Sequence, residues 1–374
     1  MPMSSLQLSN RDPEMTEFKQ ALVIYNPASG TVGDLDKRLG AIVRRLHEAQ
    51  NYVVTVRATT PNITPEELLA SSLGQFELVI ACGGDGTVGV VLGAVAQTKL
   101  DARVGIVPFG TGNLLAHNLG IYPAKLKGDV LYAALDTILD GQVVSMDLGR
   151  LNDRWFTIDA GTGPISNALT VPRQRHKRFW RLFVYALPLL KSMARGPRAF
   201  KLSIDGQEPT VMAASGVFIT TIGEMGIGNS YDYSQLNNGT LDLIVMNPRS
   251  LRDYWRITWR FAAWNIFGTM PGGDPPYLVQ KIKSVDIDVL AASHMKSPIH
   301  KFARKIKYFL MRKPDFSPAV TDHAVAMVDG DRCGSTPMHV EIVPNAVQLI
   351  VPKTTDTKPD IDLQHLDKVV SQAA

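Results

Sequence analysis

The 374-residue chain has only two cysteines, Cys82 and Cys333. Two thiols this far apart form neither a disulfide framework nor the paired spacing of a zinc site, so a reducing compartment is expected. Long hydrophobic runs are missing too. The best uncharged stretch, Leu182 to Leu190, contains Pro188 and is less than half the ~18 to 20 residues that span a bilayer, which excludes an integral membrane protein of the helical kind. The first residues, Met1 to Gln20, carry charges and no apolar core of the signal-peptide type, so export is not expected. Neither a Walker A sequence nor the signature set of protein kinases occurs, and there is no internal repeat or low-complexity tract. Net charge is only +4, and no nucleic-acid-binding motif accompanies the basic residues, so a nucleic-acid partner is not expected.

What is present is a globular composition, 45% hydrophobic and 20% charged, on a chain long enough for two domains. From Ala21 to about Leu139 the pattern alternates. Ala21–Tyr25, Tyr52–Arg57, Phe76–Ala81 and Val104–Val107 read as buried parallel strands, with helices near Leu35–Gln50, Pro65–Leu73, Thr87–Gln97 and Asn113–Leu119. Thr64, Pro65 and Glu67 give a full helix start with a capping box, and Asp129 and Gly141 bracket one more amphipathic helix.

After Gly141 the pattern changes to strands separated by turns: Val143–Leu151, Arg154–Asp159, Phe200–Ile204, Met212–Ile222, Leu241–Met246, Val285–Val289, Ala324–Val328, His339–Val343 and Val347–Val351. The expected architecture is an α/β N-terminal domain with a parallel sheet (20–140) and a β-rich, sandwich-like C-terminal domain (141–352), flanked by polar ends at 1–19 and 353–374.

Three glycine-bearing turns follow apolar strands: Asn26-Pro27-Ala28-Ser29-Gly30, Gly83-Gly84-Asp85-Gly86-Thr87 and Gly110-Thr111-Gly112-Asn113. Glycine lets backbone N–H groups approach an anion closely, and a helix beginning at such a turn points its positive end at it, so three of them suggest a phosphate site. Asp85 also suits a plain helix cap, and Asp329-Gly330 also suits a plain hairpin turn.

The order and strand context of these turns resemble the diacylglycerol kinase catalytic-domain family, which includes bacterial soluble lipid kinases, sphingosine kinases and ceramide kinases. The likeness continues through Asp147-Leu148-Gly149-Arg150, Asp159-Ala160-Gly161-Thr162-Gly163, Asn238-Gly239-Thr240-Leu241-Asp242 and Asp329-Gly330-Asp331, roughly residues 20–352. It implies ATP and Mg2+ as cofactors. It also implies that the first two turns cradle the phosphates, with Thr59 and Thr111 contacting the nucleotide. The expected nucleotide set is Asn26, Pro27, Ala28, Ser29, Gly30, Thr59, Gly83, Gly84, Asp85, Gly86, Thr87, Gly110, Thr111, Gly112 and Asn113. The expected catalytic carboxylates are Asp331, Asp329 and Asp85. In the family a late Asp-Gly-Glu turn supplies the proton acceptor, and that role falls here on Asp331, one methylene shorter, so that a water relay or a closer approach is needed.

Other departures follow from the same comparison. Gly89 and Val90 stand where an Asn-Glu pair is common, and Pro61-Asn62-Ile63-Thr64 replaces a Gly-Asp-Ala near Thr59. A structural magnesium sits on an Asp-Gly turn in bacterial members. Gln235, Asn238 and Thr240 are the corresponding positions here, and the neutral amide of Asn238 is a poorer ligand for a hard cation.

The resemblance implies transfer of the γ-phosphoryl group of ATP to a diacylglycerol-like or long-chain lipid alcohol by a cytoplasmic, peripherally membrane-associated enzyme. The alternatives are a soluble-substrate kinase of the NAD kinase type, which shares Gly-Gly-Asp-Gly, and a catalytically inactive lipid- or nucleotide-binding homologue. A second copy of the chain, as a homodimer, is a further candidate partner. Membrane contact also has a sequence basis. Arg252, Arg256 and Arg260 fall at i, i+4 spacing beside Trp255 and Trp259, with Trp264 and Phe267 beyond, and residues 177–195 repeat the mixture. An amphipathic helix packed on the β domain with its arginines solvated is the competing reading.

Overall fold

The computed structural model describes residues 19–28, 35–60, 63–69, 76–110, 113–122, 129–163, 197–223, 233–250, 252–257, 259–260, 275–290 and 323–353. The N-terminal lobe alternates strand and helix: β1 (Lys19–Tyr25), α1 (Leu35–Gln50), β2 (Tyr52–Ala58), α2 (Pro65–Leu69), β3 (Leu78–Gly83), α3 (Asp85–Thr98), β4 (Arg103–Pro108), α4 (Leu114–Asn118) and α5 (Val130–Asp140). The four strands pair in parallel in the order β2-β1-β3-β4. Every residue of β3 is buried, as a central strand covered on both faces requires. Local chemistry sets the helix starts. The Thr64 amide donates to Glu67 Oε2 (3.0 Å) and the Glu67 amide to Thr64 Oγ1 (3.2 Å), closing the capping box. The Leu131 amide donates to Asp129 Oδ1 (2.9 Å) at the start of α5.

The C-terminal lobe is built from β5 (Gln142–Leu151), β6 (Arg154–Phe156), β7 (Asp159–Thr162), β8 (Arg198–Ile204), β9 (Thr210–Ala214), β10 (Gly216–Thr220), β11 (Leu241–Met246), β12 (Leu278–Ile282), β13 (Ser284–Val289), β14 (Val325–Val328), β15 (Asp331–Ser335) and β16 (Met338–Val351). Six of these form an antiparallel sheet in the order β12-β11-β10-β7-β14-β15. Val217 and Leu243 meet Phe156, Phe200, Val285 and Val340 in the core between it and the sheet that holds β6, β8, β13 and β16, giving the sandwich that the strand pattern implies.

β16 joins the two lobes. Its first part lies beside β13, its Gln348 and Leu349 run parallel to Arg103 and Val104 of β4, and β5 accompanies both parts antiparallel. The composition changes at residue 140, but the sheet does not end there. Val347, Leu349, Ile350, Met146 and Leu148 belong to the same apolar core as β1, β3 and β4.

Four expected strands divide or merge. Met212–Ile222 breaks at Ser215, where the chain leaves the first sheet as β9 and enters the second as β10. Arg154–Asp159 breaks at Thr157 and Ile158, whose amides turn to a carboxylate instead of a ladder. His339–Val343 and Val347–Val351 are one strand with a register shift between Val343 and Val347. β12 and β15 have no counterpart in the sequence reading.

Candidate active site

The chain leaves β1 toward β2 on one side, while β3 and β4 are added on the other. Ligands in open parallel sheets bind at the carboxyl ends of strands where the order reverses in this way, here between β1 and β3. The Asn26 turn and the Gly83–Thr87 turn flank that point. The Ala28 amide donates to Asn26 Oδ1 (2.8 Å), and the Asn26 amide to the Cys82 carbonyl (3.4 Å). The Thr59 amide, just past β2, donates to the Tyr25 carbonyl (2.7 Å) and brings that residue to the same edge. Ser29, Gly30, Thr111 and Gly112 lie outside the described residues.

Gly84 precedes α3 in an extended conformation, and among the described residues the Gly84 cap position has no side-chain hydrogen bond. The turn after β4 is pressed against it: the Phe109 amide donates to the Gly83 carbonyl (2.9 Å), and a Cβ on Gly110 would stand 2.5 Å from Gly84 Cα. Such backbone-on-backbone contact is open only to glycine. Asp85 is buried and accepts from the Leu115 amide (3.1 Å), which joins the two turns by capping the first turn of α4. Asn113, in the left-handed region (φ 49) and 5% exposed, donates to the Gly110 carbonyl (2.7 Å) and the Tyr122 hydroxyl (2.6 Å). Its Oδ1 has no partner among the described residues. Tyr122 stacks on His117 at 3.9 Å between centroids. Loss of water pushes the His117 imidazole below its ordinary range, against the pull of the nearby Asp85 charge.

The antiparallel lobe contributes the turn between β14 and β15. Asp329 (φ 45) and Gly330 (φ 91) form a two-residue hairpin turn of the type that needs positive φ at both positions. The Asp329 carboxylate accepts four hydrogen bonds, from the amides of Thr157 (2.9 Å), Ile158 (2.9 Å) and Asp159 (3.1 Å) and from the Thr157 hydroxyl (3.0 Å). Burial pushes this carboxyl above its ordinary value, and the four donors pull it back. Asp331 opens β15 and is exposed. Its Oδ2 is 3.9 Å from where a Cβ on Gly86 would sit, and Asp329 Oδ2 is 3.3 Å from the corresponding point on Gly89. The hairpin therefore sits on the first turns of α3, beside the glycine turns. Of the three carboxylates named from the sequence, Asp85 and Asp329 hold main-chain amides, and Asp331 is the one presented to solvent at this junction.

The positions compared with a magnesium site do not suit a resident cation. Asn238 Oδ1 already accepts from the Thr240 amide and hydroxyl, both at 2.8 Å. A carboxylate bonded to that turn, Asp147, is buried and takes the Gly239 amide on one oxygen and the Asn345 amide on the other, each at 2.7 Å. Among the described residues no group of three His, Cys, Asp or Glu side chains is arranged to hold a metal. Neither Asp147 nor the 157–159 amides stand out as clamps in the sequence, because their partners are remote along the chain.

The helical residues 252–257 and 259–260 bury Tyr254 and Ile257 and expose Trp255 (64%) and Trp259 (47%), with Arg252 and Arg256 on the exposed side. Arg260, grouped with those arginines by spacing, is only 8% exposed, because two steps of four residues rotate it ~80° around the helix. Trp264, Phe267 and residues 177–195 lie outside the described residues. No helix among the described residues is long and apolar enough to cross a membrane.

The chain is similar to known proteins. The diacylglycerol kinase catalytic domain matches residues 20–151. The chain is 28% identical over 244 residues to a diacylglycerol kinase of Bacillus subtilis, an overlap of 64% of this chain and 78% of that protein. It is 31% identical over 203 residues to a diacylglycerol kinase of Mycobacterium tuberculosis, covering 52% and 62% of the two chains. The crystal structure of a diacylglycerol kinase from Bacillus anthracis superposes with a TM-score of 0.58 over 90% of this chain and 97% of that one, at 19% identity, which speaks for the fold.

Proposed function

Because residues 20–151 match the diacylglycerol kinase catalytic domain, we propose that the chain is a lipid kinase. In this reading it moves the γ-phosphoryl group of ATP to the hydroxyl of a diacylglycerol-like or long-chain lipid alcohol. The observation that supports this most is the seat of Asp331 beside Gly86, where an acidic group from one lobe overlooks the glycine turn that opens α3 in the other.

ATP enters as its magnesium complex, which is substrate. The 26–28 and 83–87 turns border the phosphate oxygens, with the positive end of α3 behind them. The lipid hydroxyl oxygen forms the new bond to the γ-phosphorus in line with the departing β,γ-bridging oxygen, that P–O bond breaks, and ADP leaves. The hydroxyl proton passes to the Asp331 carboxylate, whose exposure leaves it open to an incoming alcohol. Asp85 and Asp329 act as positioning residues, one joining the glycine turns and the other fixing the hairpin.

The reading extends to a peripheral site of action at the cytoplasmic membrane face. Tryptophan favours headgroup depth and arginine favours phosphate, so Arg252, Trp255, Arg256 and Trp259 suit an anionic bilayer. The test is incubation with γ-labelled ATP, magnesium and a panel of lipids in mixed micelles. Label on a diacylglycerol or another long-chain alcohol is expected, and Asp331→Ala is expected to abolish it while ATP still binds. An unlabelled panel overturns the reading.

A further inference from the structure

Gly86, Gly89 and Gly93 fall at i, i+3 and i+7 and so share one face of α3. The β lobe presses on that face at three points. A Cβ at Gly93 would meet the Trp155 side chain at 2.9 Å, one at Gly89 would meet Asp329 Oδ2 at 3.3 Å, and one at Gly86 would stand 3.9 Å from Asp331 Oδ2. The last is ordinary contact, and the first concerns β6. Only Gly89 is tight against the hairpin.

We infer that Gly89 is a positioning residue: its missing side chain sets how deeply the 329–331 turn seats on α3, and so where Asp331 stands. This rests on Asp331 being the proton acceptor. A Cβ at 89 requires its neighbour to yield by a few tenths of an ångström. The Asp329 carboxylate cannot yield alone, since four donors at 2.9 to 3.1 Å hold it. The turn is short, with φ 45 and φ 91 at its two central residues, and absorbs little. It therefore shifts as a body, and Asp331 moves with it. A short carboxylate thus reaches the junction because the main chain beneath it comes close.

The experiment is a cycle of Gly89→Ala and Asp331→Glu. Misplacement by about an ångström costs about a hundredfold in rate, so Gly89→Ala is expected to lower kcat about three- to tenfold with KM for ATP unchanged. Asp331→Glu is expected to lower kcat in the wild-type background, where the longer arm overreaches, and to raise it in Gly89→Ala, where the lost reach returns. Equal effects of Asp331→Glu in both backgrounds, or an unchanged kcat in Gly89→Ala, overturn the inference.

A second cycle needs no catalysis, so a failure of the kinase reading is distinguishable from a failure of this one. Alanine is the better helix former. Gly89→Ala is expected to raise the thermal unfolding midpoint in Asp329→Ala, or in Asp329→Ser if the alanine variant does not fold, and to lower it in the wild type. The same direction of change in both backgrounds refutes the contact.

Discussion

On the parallel-sheet side the junction is walled by main chain: Gly84 and Gly110 touch backbone to backbone, and α3 begins at the same turn. On the antiparallel side it is walled by carboxylates, Asp329 pinned by four donors and Asp331 extended beyond it. A main-chain wall is damaged by adding atoms, and a side-chain wall by removing them. Nucleotide affinity and phosphoryl transfer should therefore respond to different kinds of substitution.

The sharpest contrast is expected from Asp331→Ala, which should cut kcat by about a hundred- to ten-thousandfold while ATP affinity and the unfolding midpoint stay as in the wild type. Isothermal titration with ATP beside a transfer assay reads both. Gly110→Ala should do the reverse. Its methyl group meets Gly84 Cα at 2.5 Å, so a stability loss of about 1–3 kcal/mol and weakened ATP binding are expected from chemical denaturation and titration. Identical profiles for these two variants would break the comparison.

Replacing Trp255 and Trp259 together by alanine should weaken binding to anionic vesicles by about tenfold or more in co-sedimentation, with ATP affinity intact. Unchanged sedimentation would remove that helix from the lipid side. The smallest effect is expected from pH. The folded His117 is held below its ordinary value of 6.5, so the unfolded chain takes up the proton first as pH falls. The stabilising contribution is complete above pH 6.5 and is lost as pH falls through the lowered folded value. His117→Asn should flatten this limb of a stability-against-pH curve.

Features that depend on near neighbours are readable in the chain itself. The Thr64–Glu67 capping box, the Asp129 cap and the glycine turns each involve residues a few positions apart, and the fully apolar β3 needs no partner to be identified. Asp147 is different, since its two amide partners lie 92 and 198 positions away. The Asp329 donors lie 170 to 172 positions earlier, and no local pattern marks the 157–159 turn as their source. β15 begins at the site carboxylate and reads Asp-Arg-Cys-Gly-Ser, without the apolar alternation of a strand, while β12 is an edge with four exposed residues. The break at Ser215 follows from which sheet each half joins, and periodicity within 210–222 does not encode that. Gly89 is visible as a departure from the family pattern, but its meaning depends on Asp329 across the junction.

The path of β16 bears on how the molecule can be made. Its closing residues lie along β4 and supply Val347, Leu349 and Ile350 to the interior of the N-terminal lobe, more than 200 positions after α5 ends. A fragment cut at residue 140 would leave the β4 margin bare and that interior unfilled. The N-terminal half is therefore not an autonomous folding unit, and a growing chain completes it only after the C-terminal half has been synthesised.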